Sequence, residues 1–322
     1  MATASNLTFT GKQIAEDFHD TIYNISPTDT PLMSMAKRYT ASNTYHQWQE
    51  DSLEAASANA QLEGDDFGVA ARTQPTVLGN YTQIARKTVS ISGTFEAVKK
   101  YGRKSEVAYQ LMRMGKELKR DIEYAICRNQ ASTAGAAASA RTTGSIESWI
   151  ATTDGGGNGV RANGTTTGTT SAFASNTVSA PTDGSATAIV EADLQSALSL
   201  AWADGGDPSV IMCSAANKRR INAFTGIATK YNEVKGSTQA TIIGAADMYV
   251  SDFGNHKVVL NRYMRDQAVL CLDPEHVGLA FLRPIQRVQL GQVGDSQREM
   301  LVTEFTLVVT NRNAHAKVIN CG

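Results

Sequence analysis

The histidines and cysteines are the residues of this chain best suited to bind a metal or to act as nucleophiles. The four cysteines are far apart and form no CxxC pair, which argues against a zinc site and a disulfide framework. The five histidines are equally scattered, and none belongs to an HExxH motif. The sequence therefore predicts neither a metal site nor a cofactor. The cysteines are Cys127, Cys213, Cys271 and Cys321.

Two short stretches resemble catalytic sites, and both have a simpler explanation. Asp273-Pro274-Glu275-His276 places two carboxylates beside a histidine, but Asp-Pro favours a turn. The glycines of residues 155–159 lack the GK[ST] ending of a phosphate-binding loop and the strand that should precede it. No GxSxG or GxGxxG motif is present, and a lone Cys213 at a strand end is more often a core residue than a nucleophile. We therefore predict that the chain is not an enzyme.

Charge and hydropathy exclude several other classes of protein. The 322 residues carry a net charge of −1, from 30 basic and 31 acidic residues, so no basic footprint for nucleic acid covers the chain as a whole. The N-terminus MATASNLTFT has no basic region followed by an apolar core, unlike a signal peptide. No window reaches the ~18 apolar residues of a membrane span. The length suits one large or two modest domains.

The element most strongly predicted is a long amphipathic helix over Ser105–Gln130. Arg113–Glu117 and Lys119–Glu123 are each four residues apart and can pair on a solvated face. A helix of this length would be about 39 Å long, and its narrow apolar stripe requires long strands to lie on. The stripe consists of Val107, Leu111, Met114, Leu118, Ile122 and Ile126.

Residues 1–42 are predicted to form an arm. Ile14 and Phe18 begin a thin apolar stripe with a four-residue spacing, typical of a short amphipathic helix. Pro27 and Pro31 each disfavour the helical region for the residue before them, so the segment between them is predicted to be extended or to form a turn. Such an arm is better suited to lie on a neighbouring molecule than to form its own core. The alternative is a loosely docked terminus.

Residues 43–92 are predicted to form a long hairpin that projects as a ribbon, because neither face is consistently apolar. An isolated two-stranded ribbon is marginal in water, so this one implies a partner surface. A natural basic counterpart precedes the long helix: Lys99, Lys100, Arg103 and Lys104. The alternative is that both charge clusters are merely solvated. The acidic residues of the ribbon are Glu50, Asp51, Glu54, Glu63, Asp65 and Asp66.

The second half of the chain divides into three parts. Ala, Gly, Ser and Thr make up 42 of the 57 residues of 131–187, a composition typical of a flexible linker or surface loop. Residues 188–290 are predicted to form a compact α/β unit, with a hairpin turn at Phe253-Gly254-Asn255. Strict alternation over Leu301–Thr310 predicts a long strand that supports the helix.

The order of these elements resembles that of the major capsid proteins of tailed bacteriophages, the Hong Kong 97 fold. Five short stretches are similar to one capsid subfamily, and they occur in the matching order outside residues 131–187. They are residues 25–31 (ISPTDTP), 46–51 (HQWQED), 250–254 (VSDFG), 258–263 (VVLNRY) and 272–274 (LDP).

The resemblance implies an α+β fold and a division into functional regions. An N-terminal arm (1–42) and an extended loop (43–92) would precede a peripheral domain with the spine helix (93–130). An insertion (131–187) would decorate the outer surface, an axial domain (188–290) would meet the symmetry centre, and return strands (291–322) would complete the peripheral domain.

The resemblance also implies partners. The chain would assemble with itself into pentamers and hexamers in the host cytoplasm and enclose double-stranded DNA in the virion without reading its sequence. No long helical segment precedes the arm, so a separate scaffolding protein is expected, together with a portal at one vertex and, optionally, a cement protein. The lysine–asparagine cross-link of some members has no recognisable counterpart here. The alternatives are a bacterial nanocompartment shell, a phage adhesin or tail component, and an enzyme built on 188–290.

Overall fold

The computed structural model describes residues 29–54, 56–64, 68, 72, 74–100, 102–165, 167–169, 173–174, 176–224 and 248–322. Several predicted contact residues lie outside the described residues, namely Ile14, Phe18, Pro27, Asp65 and Asp66.

Six helices and twelve strands are named in chain order. The helices are α1 Pro31–Met35, α2 Gly93–Ala97, α3 Glu106–Cys127, α4 Ile146–Trp149, α5 Glu191–Ala203 and α6 Ala215–Asn222. The first six strands are β1 Lys37–Thr40, β2 Tyr45–Glu50, β3 Thr76–Tyr81, β4 Gln83–Ser92, β5 Gly159–Arg161 and β6 Val210–Cys213. The others are β7 Met248–Ser251, β8 Gly254–Leu260, β9 Ala268–Leu272, β10 Val277–Leu290, β11 Ser296–Val309 and β12 Ala316–Ile319.

The long helix forms where the sequence predicts it, as α3. Its 22 residues correspond to about 33 Å. The Ser105 hydroxyl accepts a hydrogen bond from the Ala108 backbone N–H at 3.3 Å, which caps the first turn. The helix ends at Cys127, three residues before the predicted end.

A four-stranded sheet with the order β1-β10-β11-β4 supports α3. Met114 and Leu118 on the helix pack against Leu301 on β11. Further along, Ile122 joins Phe305 in the largest apolar core of the described chain. The alternating apolar residues of β11 therefore form the surface on which the helical stripe is buried, as the sequence predicts.

The predicted long hairpin of residues 43–92 is wrong in its second strand. β2 pairs with β3, from Tyr45 opposite Tyr81 to Glu50 opposite Thr76. β4 instead pairs with β11 along its whole length and forms an edge of the four-stranded sheet. The β4 side chains alternate between covered and exposed, as in a free ribbon, because only one face of the strand is covered. On that face, Ala85 and Val89 pack against the cluster of Met114, Leu118 and Leu301.

A second sheet has six strands in the order β5-β12-β9-β6-β8-β7. The predicted hairpin forms there, but its turn is Asp252-Phe253, because Gly254 and Asn255 belong to β8 and pair with Ser251 and Val250. The sheet differs from the predicted unit at 188–290, because β5 comes from the Ala/Gly/Ser/Thr-rich segment and β12 from the tail. β10, in turn, belongs to the four-stranded sheet.

Part of the described 131–187 segment enters the core, which its composition does not predict. Trp149 and Val178 belong to the same apolar core as Ile122 and Phe305. The small side chains allow close approach of the backbone: a Cβ on Gly144 would lie 2.5 Å from the Val178 Cγ2 atom. Because short residues pack between other elements here, low complexity does not indicate a flexible segment in this protein.

Candidate assembly surfaces

The Glu123 side chain of α3 holds the first turn of α1. It is fully buried, and its two carboxylate oxygens accept hydrogen bonds from the backbone N–H groups of Leu32 and Met33, each at 2.8 Å. These two donors belong to the first turn of α1, whose N–H groups have no partner within the helix. The predicted Lys119–Glu123 pair on a solvated face is therefore wrong.

The Glu123 carboxylate also contacts the chain that leaves the six-stranded sheet. The Asn261 side-chain N–H donates to Glu123 Oε1 at 2.7 Å, one residue after β8 ends. Burial raises the pKa of Glu123, and its hydrogen bonds to Met33, Leu32 and Asn261 oppose that increase. One carboxylate thus joins the start of the body, the long helix and the second sheet.

The base of the ribbon is fixed by Asn80 of β3, which is fully buried. Its side-chain N–H group donates to the Leu307 carbonyl at 2.8 Å, and its Oδ1 atom accepts from Ser132 Oγ at 2.9 Å and from the Gly144 N–H at 2.8 Å. The ribbon, β11 and the 131–187 segment therefore meet at the side-chain amide of Asn80, whose donor and acceptor groups are both hydrogen-bonded.

The acidic residues of the predicted tip have different surroundings. Glu50 forms an ion pair with Arg312 of the same subunit at 3.2 Å, so it stabilises the base of the ribbon. Asp51 and Glu63 are exposed, and so is every other described residue from 51 to 77. Glu54 lies 4.0 Å from Arg72, another exposed residue.

Apolar side chains are exposed in the same segment. Leu53 is 98% exposed and Leu62 is 81% exposed. They are nine residues apart, and single exposed apolar residues are ordinary on a protein surface.

Two of the four predicted basic contact residues are already paired within the subunit. Lys100 lies 3.4 Å from Glu96, and Arg103 lies 2.5 Å from Glu106. Both partners are three or four residues away in sequence, a spacing that the sequence analysis did not use. Lys99 and Lys104 are exposed, and no ion pair to either is seen within the described chain. Pro31, from the predicted arm, is the first residue of α1.

The stretch around Asp273 is a turn, as predicted. The Asp273 carboxylate accepts a hydrogen bond from the Glu275 N–H at 2.9 Å and caps a short 3₁₀ helix over Pro274–His276. Within the described residues, no group of three or more His, Cys, Asp and Glu side chains is arranged to hold a metal ion. The same part of the chain contains no helix long and apolar enough to cross a membrane.

The four cysteines are unpaired and buried. Burial raises the pKa of Cys213 to about 11 and that of Cys271 to about 12, which makes both thiols poor nucleophiles at neutral pH.

A buried charged group lies where the 131–187 segment meets β12. Lys317 is fully buried and donates from Nζ to the Glu147 carbonyl at 2.7 Å. Arg265 forms ion pairs with the Glu147 carboxylate and, at 2.6 Å, with Asp183. Burial lowers the pKa of Lys317 to about 7, although the Glu147 carboxylate opposes that decrease.

The architecture defines the class of protein: a long helix on a four-stranded sheet, a ribbon and a second sheet form the Hong Kong 97-like fold of phage capsid proteins. A chain from Gordonia phage Cozz superposes with a TM-score of 0.59 at 11% identity, over 99% of this chain and 96% of that one. The capsid protein of the native GTA particle superposes with a TM-score of 0.64 at 12% identity, over 99% of this chain and 100% of that one. The holo-SrpI encapsulin complex from Synechococcus elongatus PCC 7942 superposes with a TM-score of 0.59 at 9% identity, over 99% of this chain and 96% of that one. At these identities the likeness concerns the fold alone.

The sequence then identifies the family. Residues 2–322 match the model of the SU10 major capsid protein, and the chain belongs to that family. The major capsid protein of Escherichia phage Phieco32 is 39% identical over 125 residues, which are 38% of this chain and 35% of that relative. The aligned segment thus spans about a third of the relative's length. The family is structural rather than enzymatic, which confirms the prediction that the chain is not an enzyme and decides against the adhesin, tail and enzyme alternatives.

The Glu123 contact predicts that two glutamates of the same helix, Glu123 and Glu117, contribute very differently to the free energy of unfolding. Glu123→Gln should lower the free energy of unfolding of the unassembled subunit by roughly 1–3 kcal/mol, because an amide nitrogen would face a buried backbone N–H. Glu117→Gln removes only the exposed pair with Arg113 and should cost less than about 0.5 kcal/mol. Equal losses in denaturant unfolding would contradict the assignment.

Buried Lys317 predicts a pH dependence of stability. The pKa of an unfolded lysine is about 10.4, against about 7 in the folded protein, so the unfolded chain binds more protons between these values. The free energy of unfolding of the wild type, relative to Lys317→Met, should therefore rise from pH 7 to pH 10. Denaturant unfolding of both proteins at several pH values measures this difference, and a constant difference would refute the prediction.

Proposed function

We propose that this chain is the subunit of an icosahedral phage head, in which pentamers and hexamers close a shell around double-stranded DNA. Family membership supports the shell, and a single structural observation supports assembly through the ribbon. The ribbon is fixed to the body by Asn80 and by the Glu50–Arg312 pair, yet every described residue from 51 to 77 is exposed. A fixed base with a bare acidic extension is suited to reach a neighbouring subunit.

The regions and partners of the shell belong to the same proposal. The residues before α1 act as the arm, and residues 43–81, with β2 and β3 at their base, act as the extended loop. The helix α3 and the four-stranded sheet form the peripheral domain. The six-stranded sheet with α5 and α6 forms the axial domain, and 131–187 carry an outer decoration on their exposed part. A scaffolding protein, a portal at one vertex and an optional cement protein act with the chain during assembly in the host cytoplasm.

A bacterial nanocompartment shell is the second candidate, because an encapsulin shares the fold. The family match along residues 2–322 favours the phage head. Electron microscopy of particles from infected cells separates the two, since only a phage head carries a tail vertex and packaged DNA.

The acidic extension contacts a neighbour's Lys99 and Lys104, the two members of the basic stretch that are exposed in the subunit. The other two members, Lys100 and Arg103, form ion pairs with Glu96 and Glu106 of their own subunit and thereby stabilise the surface that carries Lys99 and Lys104. Asp65 and Asp66 belong to the same acidic extension by sequence.

Charge reversal tests this contact. Glu54→Lys/Glu63→Lys should abolish shells in electron micrographs while the subunit keeps its circular dichroism spectrum, because like charges would meet at the interface. Asp204→Lys/Asp207→Lys is the matched control: both acids are exposed on another part of the molecule, and shells should form. Normal shells from the Glu54/Glu63 variant would refute the contact.

The arm crosses to a neighbour through residues before α1, since α1 itself is held by Glu123 of its own subunit. Deleting residues 1–28 should therefore leave the subunit folded but reduce the yield of shells and the temperature at which they dissociate. Light scattering on heating measures that temperature. Unchanged yield and dissociation temperature would mean that the arm does not contribute to assembly.

A further inference from the structure

The solvent-facing side of α3 carries much more positive than negative charge. Between Tyr109 and Arg120 the only acidic residue is Glu117, and it is paired with Arg113 at 3.0 Å. Lys116 and Lys119 are exposed, and no ion pair to either is seen in the described part of the chain. The next acid along the helix, Asp121, is held by Lys87 at 2.8 Å, which leaves the face basic.

The positive charge continues beyond the helix. Lys99 and Lys104 are exposed just before its N-terminus. The exposed acids Asp51, Glu54 and Glu63 lie on the ribbon extension instead. The helix face and the ribbon extension therefore carry opposite charges, although the net charge of the chain is only −1 and other exposed acids, such as Asp204 and Asp207, lie elsewhere.

We propose that this face of α3 lines the inside of the shell and binds the phosphate backbone of the enclosed duplex DNA without reading its bases. The inference rests on the proposed function and adds the inner surface to it. The basic face is defined as the solvent-facing side chains of Arg113, Lys116, Lys119 and Arg120.

The dimensions of the basic face suit a duplex. Arg113 to Arg120 spans about 10 Å of helix axis. One DNA strand presents a phosphate about every 3.4 Å along its axis, so the face covers about three phosphates. It lies along an exposed helix rather than in a pocket, as expected for contact with a long rod.

The chemistry of the face suits contact without sequence readout. The ammonium groups of Lys116 and Lys119 are point charges on flexible stems, which suits contact with phosphates without a fixed orientation. Arg120 is oriented by its own subunit, because its Nε atom donates to the Tyr263 hydroxyl at 3.1 Å. A few cations per subunit hold DNA weakly, which allows the DNA to slide while it is packaged.

The salt dependence of DNA binding tests the proposal. Fluorescence anisotropy of a labelled 30-base-pair duplex is measured with unassembled subunits over a range of salt concentrations. Lys116→Gln/Lys119→Gln should lower the slope of log K against log salt by about 1.8, since each lost phosphate contact removes about 0.9. Arg113 is left in place because it pairs with Glu117.

A matched control removes the same charge elsewhere. Arg219→Gln/Lys257→Gln changes two exposed cations of the second sheet and its helix, and the slope should not change. Equal slopes for both double variants would overturn the proposal. Micrographs of subunits supplied with the scaffolding protein keep the two proposals apart. Wild-type subunits that never form shells under these conditions refute the proposed function, whereas normal shells with unchanged DNA binding refute only the inner basic face.

A cysteine placed on the face tests its orientation. Met112 is 61% exposed beside the basic face, and all four native cysteines are fully buried, so Met112→Cys supplies the one thiol that reacts readily. A polymer-linked maleimide too large for the shell openings should label this thiol in dissociated subunits but not in intact, DNA-free shells. Labelling of intact shells would place the face outside and overturn the proposal.

Discussion

The burial of the Glu123 carboxylate constrains the whole subunit. A charged group without water requires several donors, and here they come from α1 and from the loop after β8. Because these donors lie about 90 and 138 residues away along the chain, the carboxylate holds together parts that the sequence separates widely. The first turn of α1, the long helix and the second sheet must therefore keep one relative position.

The Ala/Gly/Ser/Thr-rich segment fills the space between the two sheets. Its short side chains let backbone approach backbone, and its few large residues, Trp149 above all, enter the common core. The Trp149 ring lies 5.2 Å from Trp48 of the ribbon and 5.5 Å from Phe173. Asn80 and the Arg265–Glu147 pair add polar contacts at its borders. The segment thus links the ribbon to both sheets.

A rigid body with exposed extensions suits a shell in which identical subunits occupy slightly different environments. The body supplies fixed attachment points, such as Glu50 on Arg312, and the acidic extension beyond them is bare. In the proposed shell, the acidic extension and the exposed Lys99 and Lys104 would supply the two halves of a contact between subunits, and the helix would supply a surface for DNA. Closure of the shell covers groups that would remain exposed on a monomer.

The sequence by itself determined the elements whose signals are local. The helix follows from apolar residues three and four apart with Ser105 as its cap, and the β7–β8 hairpin follows from Phe253-Gly254-Asn255. Tertiary structure alone decided which strands pair, because β4 has the same alternation at a sheet edge as in a free ribbon. It also decided that Glu123 is buried, since hydrophobic periodicity does not identify which polar groups meet. The Lys100–Glu96 and Arg103–Glu106 pairs, by contrast, follow from local spacings of four and three residues. Burial of polar residues depends on partners brought together by folding, and those partners are distant in the sequence.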